Sequence, residues 1–283
     1  MTFIDVAGNE KYAKTMIRGL CSHYPDYALI LIDSEAGLNK TSIDHFKLAF
    51  AFNVPLIIVL TKVDTVSEDQ LFEVKQGLND LIKGISSKIP LTIENEEDVA
   101  LCSRMTQEDI CPMFQISNRT GEGLDFFRYF LNLLPINPSN QWGANSKECS
   151  EFQIMETFNK EGELILHGMV MKGSISLRQQ LLLGPGSDGN FRKVEIKGIH
   201  CKKIPVRQVI SGQMCSFAIN LGKFAEKWLA NEGKIRKGMV LVDPKSKPKA
   251  TWTFCAEIWN FDGSTKTIKN NFQPVVNSQH IRQ

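Results

Sequence analysis

Unbroken apolar runs in the first half of the chain predict buried strands. Three such runs lie at residues 28–33, 54–60 and 113–116, and a shorter one lies at residues 1–4. A strand that is apolar at successive positions is covered on both faces, as in a parallel sheet. Between the runs, apolar residues recur with a helical period over residues 11–21, 41–51, 69–85 and 123–134. This alternation predicts an α/β domain with a mostly parallel sheet.

The pattern changes after residue 135. A stretch rich in Pro, Asn and Ser, at residues 136–149, is typical of a linker. Short apolar runs broken by glycine follow, at residues 164–170, 175–177, 180–183, 194–200, 214–219 and 239–242. The sequence G-P-G-S-D-G at residues 184–189 is a strong turn signal between two of them. The second half therefore predicts a small antiparallel β-barrel.

These patterns divide the chain into four segments. We expect the α/β domain over residues 1–135, the linker over 136–149, the barrel over 150–247 and the start of a truncated third domain over 248–283. Residues 250–258 predict a first strand of that third domain, and the polar tail after residue 261 is expected to be poorly ordered.

Composition and charge are those of a soluble globular protein and favour no polyanionic partner. The 283 residues are 42% apolar and 23% charged, and 33 basic against 31 acidic residues give a formal charge of +2. The seven cysteines lack zinc-binding spacing, which favours reduced thiols in a cytosolic or nuclear protein. No apolar run is long enough to span a bilayer. We therefore expect a cytoplasmic protein without a membrane partner.

The first polar motif is D-V-A-G at residues 5–8, after the short apolar run. The Asp5 carboxylate can hold a magnesium ion through water. Gly8 has no Cβ, so its backbone N–H can approach a terminal phosphate. An isolated match is more simply explained as an Asx-type turn after a strand.

The second motif is T-K-V-D at residues 61–64, directly after a predicted buried strand. The Asp64 carboxylate can accept hydrogen bonds from the N1–H and the 2-amino group of guanine, and adenine offers neither donor. The Lys62 stem can lie over the base while its ammonium stays in water. The signature usually begins with Asn, and Thr61 keeps a side-chain oxygen there. The alternative interpretation is a polar start to the next helix.

The third motif is S-N-R-T-G-E-G at residues 117–123. Ser117 is a small residue followed by backbone N–H groups that can receive the guanine O6. By itself this stretch is a loop and helix cap, with Thr120 or Gly121 opening the next helix. Taken together, three motifs at successive strand ends predict a guanine-nucleotide fold.

Five stretches of the chain resemble the GTP-binding-protein-one and -two family, whose members are relatives of elongation factor Tu. They read T-F-I-D-V-A-G-N-E-K-Y (2–12), C-P-M-F-Q-I-S-N (111–118), L-L-L-G-P (181–185), S-G-Q (211–213) and I-R-K-G-M-V (235–240). The first is similar to the family's switch II region. The resemblance implies a partial G domain of the P-loop NTPase type, then a translation-factor barrel, then the first strands of a second barrel.

The same resemblance implies ligands, partners and roles. It implies GTP or GDP with Mg²⁺, hydrolysis of GTP coupled to translation or RNA surveillance, and the ribosome, tRNA or the mRNA-decay machinery as partners. The implied roles are Lys62 and Asp64 on guanine, Thr61 and Asn118 as loop supports, Ser117 beside O6, Gly8 at the γ-phosphate, Asp5 at magnesium through water and Asn9 at the catalytic position.

The chain departs from the family pattern at three places. It contains no G-x-x-x-x-G-K followed by Ser or Thr, since its Gly-Lys pairs at residues 222–223 and 233–234 are followed by Phe224 and Ile235. Asn9 stands where the family has a His that positions the attacking water, which we expect to impair hydrolysis. The glycine-rich hairpin, at residues 162–166, is one residue shorter than the family pattern, which puts its RNA or ribosome contact in doubt.

Two other functions stay open at this point. A catalytically inactive fragment or binding module would contact RNA, the ribosome or a protein through a basic stretch, formed by Lys193, Lys197, His200, Lys202, Lys203 and Arg207. The simpler interpretation of that stretch is a solvated strand and loop. RNA binding that weakens steeply with salt would favour the module. An α/β enzyme acting on another nucleotide is disfavoured, because the predicted α/β domain at residues 1–135 contains no G-x-G-x-x-G loop.

The lack of a P-loop and of switch I in these residues predicts an incomplete gene model or fragment. We expect a barrel peptide, detected in cell extract separated by mass, to occur in a species well above 31.9 kDa. Detection at the mass of this chain alone would contradict GTP hydrolysis and favour the binding module.

Overall fold

The computed structural model describes residues 1–9, 11, 13–105, 109–135, 148–160, 163–220 and 235–257, with positions 271, 273, 276–278, 281 and 282 of the tail. The chain divides into two compact units, whose main parts are Met1–Asn137 and Pro138–Trp259. Parts of the predicted linker, the Gly162 position of the glycine-rich hairpin, the Gly-Lys pair at 233–234 and most of the polar tail lie outside the described residues.

The first unit is an α/β structure, as the alternating pattern predicts. Its elements are α1 (Ala13–His23), β1 (Ala28–Asp33), α2 (Lys40–Ala51), β2 (Leu56–Thr61), α3 (Glu68–Ile85), β3 (Ile89–Thr92), α4 (Glu96–Met105), β4 (Ile110–Gln115) and α5 (Leu124–Leu133). The four strands form one sheet in the order β1-β2-β4-β3, and every pairing in it is parallel.

Strand β2 is the centre of this unit. Leu56 to Leu60 are all buried, and successive side chains face opposite sides of the sheet. Ile58 and Leu60 belong to a core cluster with helices α2 and α3, whereas Ile57 and Val59 belong to a second cluster with α4 and α5. The prediction of a strand covered on both faces is therefore confirmed for residues 56–60.

Helix α3 begins where its sequence places a cap. The Ser67 hydroxyl accepts a hydrogen bond from the Gln70 backbone N–H, and the Gln70 side chain accepts one from the Ser67 N–H. This reciprocal pair satisfies two donors that the first helical turn leaves unpaired. Leu78 and Ile82, one turn apart, are fully buried on the face toward the sheet. The cap and the apolar stripe together fix the position and rotation of the helix.

Three sequence-based expectations about this unit are wrong. Residues 1–4 form no strand and are exposed, because no described strand pairs with them. Strand β1 is not covered on both faces, since it lies at an edge of the sheet and Leu31 is 61% exposed. Gly123, not Thr120 or Gly121, caps α5. The pattern analysis also missed strand β3 and helix α4.

The second unit is a closed antiparallel barrel. Its elements are β5 (Glu151–Lys160), β6 (Glu163–Lys172), β7 (Ser174–Ser176), β8 (Gln180–Gly184), β9 (Arg192–Cys201), β10 (Ile204–Pro205), β11 (Gln208–Ile210), β12 (Met214–Asn220) and β13 (Val240–Val242). Six strands follow one another as β9-β12-β6-β5-β13-β8, and the pairing of β8 with β9 closes the ring. Closure removes the open edges of the sheet, and the barrel prediction is confirmed.

The barrel core is built from alternate residues of these strands. Phe152 of β5 and Phe217 of β12 are fully buried, and their ring centroids are 4.5 Å apart. The predicted turn between β8 and β9 is present, with Gly189 at φ 73° and a bond from its N–H to the Gly186 carbonyl. The strand expected at 250–258 is absent over the described residues 250–257, where Trp252 is 82% exposed and no described strand pairs with the segment.

All seven cysteines are free. Burial raises the pKa of the Cys102 and Cys111 thiols to about 12. In the part of the chain that the structure covers, no helix has the length and apolar character needed to cross a bilayer.

We predict that Gly168 of β6 tolerates no side chain, whereas Gly198 of β9 does. A Cβ at Gly168 would collide with the Gln153 carbonyl oxygen, while a Cβ at Gly198 would lie 3.5 Å from the Ala218 Cβ, an ordinary contact. Gly168→Ala is expected to lower the free energy of unfolding by about 1–3 kcal/mol, the usual cost of overpacking a core. Gly198→Ala is expected to be neutral or slightly stabilising. Chemical unfolding of both variants checks this, and equal effects would contradict it.

Candidate functional site

The carboxyl ends of β1, β2 and β4 lie level with one another. In the parallel register Asp33 is opposite Thr61, and Leu60 is opposite Gln115. The loops that leave these strands therefore begin at one edge of the sheet, where ligands of open α/β sheets bind. The second and third sequence motifs start here.

Backbone hydrogen bonds join the two strand ends from which these motifs start. The Ile116 N–H donates to the Leu60 carbonyl at 2.8 Å, and the Val63 N–H donates to the Ile116 carbonyl at 3.4 Å. The structure thus brings T-K-V-D and S-N-R-T-G-E-G side by side, as their order in the sequence predicts.

The T-K-V-D segment turns sharply as it leaves β2. Lys62 has a left-handed backbone conformation, with φ 58° and ψ 36°, and Val63–Thr65 form a single 3₁₀ turn. The Thr65 hydroxyl donates to the Lys62 carbonyl at 2.9 Å and holds this turn. Val63 is buried beneath the segment, whereas Asp64 is exposed and forms no hydrogen bond or ion pair with another described residue. Its carboxylate is thus available to a ligand.

The loop after β4 is organised around Ser117. This side chain is fully buried, and its Oγ accepts hydrogen bonds from the backbone N–H groups of Arg119 at 3.2 Å and Thr120 at 3.1 Å. The Gly121 N–H donates to the Ser117 carbonyl at 2.9 Å. Ser117 therefore shapes the loop from inside, while Asn118 is exposed on its surface.

Gly123 completes this loop for a steric reason. Its φ is 69°, and a Cβ at this position would collide with the Gln115 carbonyl oxygen at the end of β4. The loop can return onto the strand only with glycine here.

Asp33 joins the site although the sequence analysis did not select it. Its Oδ2 is 2.6 Å from the Lys62 Nζ, and its Oδ1 accepts a bond from the Glu35 N–H at 3.0 Å. The hydrogen bond from Lys62 lowers the pKa of Asp33, and Asp33 in turn raises the pKa of Lys62, so both groups are charged at neutral pH. The available signal was its position, since an acidic residue ends a predicted strand.

Asp5, Val6 and Gly8 of the D-V-A-G segment are exposed, and Gly8 lies near the end of β1. Gly8 and Asn9 line a cavity of about 520 Å³ together with Asp33, Asn39 and His45, whereas Asp5 is not among its lining residues. The Asn9 Oδ1 accepts a hydrogen bond from the Lys11 N–H at 3.0 Å.

His45 of α2 also lines this cavity. Burial lowers its pKa below the ordinary value of 6.5, so the ring is mostly neutral at pH 7.

The basic stretch on the barrel is solvated. Every one of its members is exposed, namely Lys193, Lys197, His200, Lys202, Lys203 and Arg207. Lys202 and Lys203 form the turn between β9 and β10, with φ values of 50° and 68°. The simpler interpretation from sequence, a solvated strand and loop, agrees with this placement.

Comparison with known proteins settles the family. The model of the elongation factor Tu GTP-binding domain matches residues 1–166, which is more than half of the 283 residues. The chain belongs to this family. It is thus a member of the translational GTPases, and the resemblance drawn from its motifs is confirmed.

Relatives match the whole chain, although it spans less than half of their own length. It is 40% identical over 286 residues to GTP-binding protein 1 of Xenopus laevis, covering 100% of this chain and 42% of that protein. It is 32% identical over 288 residues to GTP-binding protein 2 of Mus musculus, covering 100% of this chain and 46% of that protein.

The fold of this translational GTPase also matches a solved structure. It is similar to translation elongation factor SelB from Methanococcus maripaludis in complex with the GTP analogue GPPNHP, with a TM-score of 0.58 at 19% identity. The match covers 85% of this chain and 46% of that one. At this identity the similarity shows the fold alone.

Proposed function

We propose that this chain binds guanine nucleotides where β1, β2 and β4 end, as part of a GTPase switch of translation or RNA surveillance. The observation that carries the proposal is that T-K-V-D and S-N-R-T-G-E-G leave neighbouring parallel strands at the same edge of the sheet, where Ile116, directly before the second motif, is hydrogen-bonded to Leu60 and Val63. Membership in the family and the names of the relatives, both GTP-binding proteins, support it.

Recognition of the base would come from two adjacent loops. The exposed Asp64 carboxylate would accept the N1–H and 2-amino hydrogens of guanine, and the Lys62 stem would cover one face of the ring. Backbone N–H groups of the Ser117 loop would receive O6, with Thr61 and Asn118 supporting the two loops. Adenine would be rejected because it leaves Asp64 without a donor.

The phosphate end would lie toward the cavity beside β1. Gly8 and Asn9 line this cavity. A Cβ placed at Gly8 would have no other atom within 4 Å, so a phosphate oxygen could approach the Gly8 backbone. Asp5 is an exposed carboxylate with the hard oxygen donors that Mg²⁺ prefers, and it would hold the ion through water. The ion would neutralise charge on the β- and γ-phosphates.

The contribution of Asp64 can be measured by exchanging its carboxylate for an amide. Asp64→Asn keeps one acceptor for N1–H but opposes the 2-amino group of guanine with an NH₂, so GDP affinity should fall about 10- to 100-fold. Xanthine carries an oxygen in place of that amino group, so the variant should bind XDP more tightly than the unaltered protein does. Dissociation constants for GDP and XDP, on protein expressed from its complete reading frame, provide the test.

The matched control for that experiment is Asp69→Asn, which removes the same charge from an exposed position in the first turn of α3. It should change neither constant. Equal GDP affinity of Asp64→Asn and the unaltered protein would rule out the proposed base contact.

Asn9 predicts slow hydrolysis. Its amide cannot act as a base or become cationic, whereas an imidazole can position and polarise the attacking water, an effect worth about 10²- to 10⁴-fold. Single-turnover hydrolysis of GTP should therefore be faster in Asn9→His, while Asn9→Ala, which removes the polar side chain, should not gain. No increase with His would refute this role for position 9.

A further inference from the structure

The Asp33 carboxylate is divided between two kinds of donor. Its Oδ1 accepts a bond from the Glu35 backbone N–H at 3.0 Å, which fixes the side chain against the turn that follows β1. Its Oδ2 accepts a hydrogen bond from the Lys62 ammonium at 2.6 Å. The carboxylate is therefore held by its own loop and presents one oxygen to the neighbouring strand end.

The orientation of the Lys62 side chain depends on a hydrogen-bond partner such as Asp33. It leaves β2 in a left-handed conformation, and its side chain is 56% exposed. A lysine stem of this exposure has many rotamers, and ordering it when a ligand binds costs conformational entropy. In the described part of the chain, Asp33 is the group that accepts a hydrogen bond from its ammonium.

The two strand ends are also braced by their backbones. The Ser34 N–H donates to the Thr61 carbonyl at 3.1 Å, and the Thr61 hydroxyl donates to the Ile32 carbonyl at 3.2 Å. Asp33 and Thr61 face each other in the register of the sheet. Because both ends of the ion pair rest on this ladder, the pair holds the Lys62 stem in one orientation.

We propose that Asp33 is a positioning residue of the guanine site, which holds Lys62 ready to cover the base. This inference rests on the proposed function. Exposed ion pairs add little to the stability of a fold, so the effect belongs to nucleotide affinity rather than to folding.

Asp33 also lines the cavity that Gly8 and Asn9 line. An unpaired carboxylate there would repel the phosphates of a nucleotide. Lys62→Met frees the stem, which should weaken binding of both GDP and guanosine. It also leaves Asp33 unpaired, and repulsion between this carboxylate and the phosphates should make the loss larger for GDP.

The test is a double-mutant cycle of GDP binding, on protein expressed from its complete reading frame. Asp33→Asn keeps an oxygen for the Glu35 N–H while it removes the charge that holds Lys62. We expect it to weaken GDP binding about two- to five-fold at low salt, less at high salt. In protein that already carries Lys62→Met, Asp33→Asn should cause no loss of GDP affinity. Asp33→Glu should recover part of the affinity, since it restores the charge.

The matched control is Asp69→Asn, the same exchange at an exposed position in the first turn of α3. It should leave GDP affinity unchanged. Melting temperatures of all variants, measured without nucleotide, should agree closely, and a large drop with Asp33→Asn would mean a structural role instead.

The outcomes separate this inference from the proposed function. If the unaltered protein binds no guanine nucleotide, the proposed function fails, and the positioning role fails with it. If it binds GDP but Asp33→Asn causes no loss, or an equal loss with and without Lys62, the positioning role alone is overturned. A loss that requires Lys62, with partial recovery in Asp33→Glu, supports it.

Discussion

The parallel hydrogen-bond ladder through β1, β2 and β4 determines where every other feature of the first unit lies. It places Asp33 opposite Thr61 and Leu60 opposite Gln115, so three loops leave the sheet at one edge. Shifting one strand by a single residue would turn its side chains to the other face and separate the loops. The two core clusters on either side of β2 oppose such a shift, because successive side chains of β2 pack into different clusters.

The candidate site therefore draws its rigidity from backbone geometry rather than from its own side chains. Asp64 and Asn118 are exposed, but the turns that carry them are held by the Thr65 hydroxyl and by the buried Ser117. A site built in this way can present unpaired polar groups to a ligand without collapsing onto them. The barrel achieves rigidity differently, through a ring of strands that leaves no open edge between β8 and β9.

The sequence predicted those parts of the fold whose signal is local. Strand β2 and helix α3 carry strong patterns, one by unbroken apolar residues and the other by a capping box and an apolar stripe. Strand β3 contains Pro90, and α4 opens with acidic residues, so neither gave a clear period. The edge position of β1 could not be predicted, because burial depends on which strands lie beside it.

The same distinction applies to the site. Lys62, Asp64 and Ser117 stand in recognisable motifs, whereas Asp33 acts through a contact between residues 29 positions apart in the chain. Only the sheet register brings such residues together.

The steric demand at Gly123 has a consequence for how this protein can vary. Every single-base change of a glycine codon that is not synonymous produces either a stop or a residue with a Cβ, and any Cβ here meets the Gln115 carbonyl. Exposed neighbours such as Arg119 and Glu122 can be substituted without disturbing the packing. Among the codons of this loop, that of Gly123 is therefore a point where one inherited change would be enough to deform the loop of the proposed guanine site.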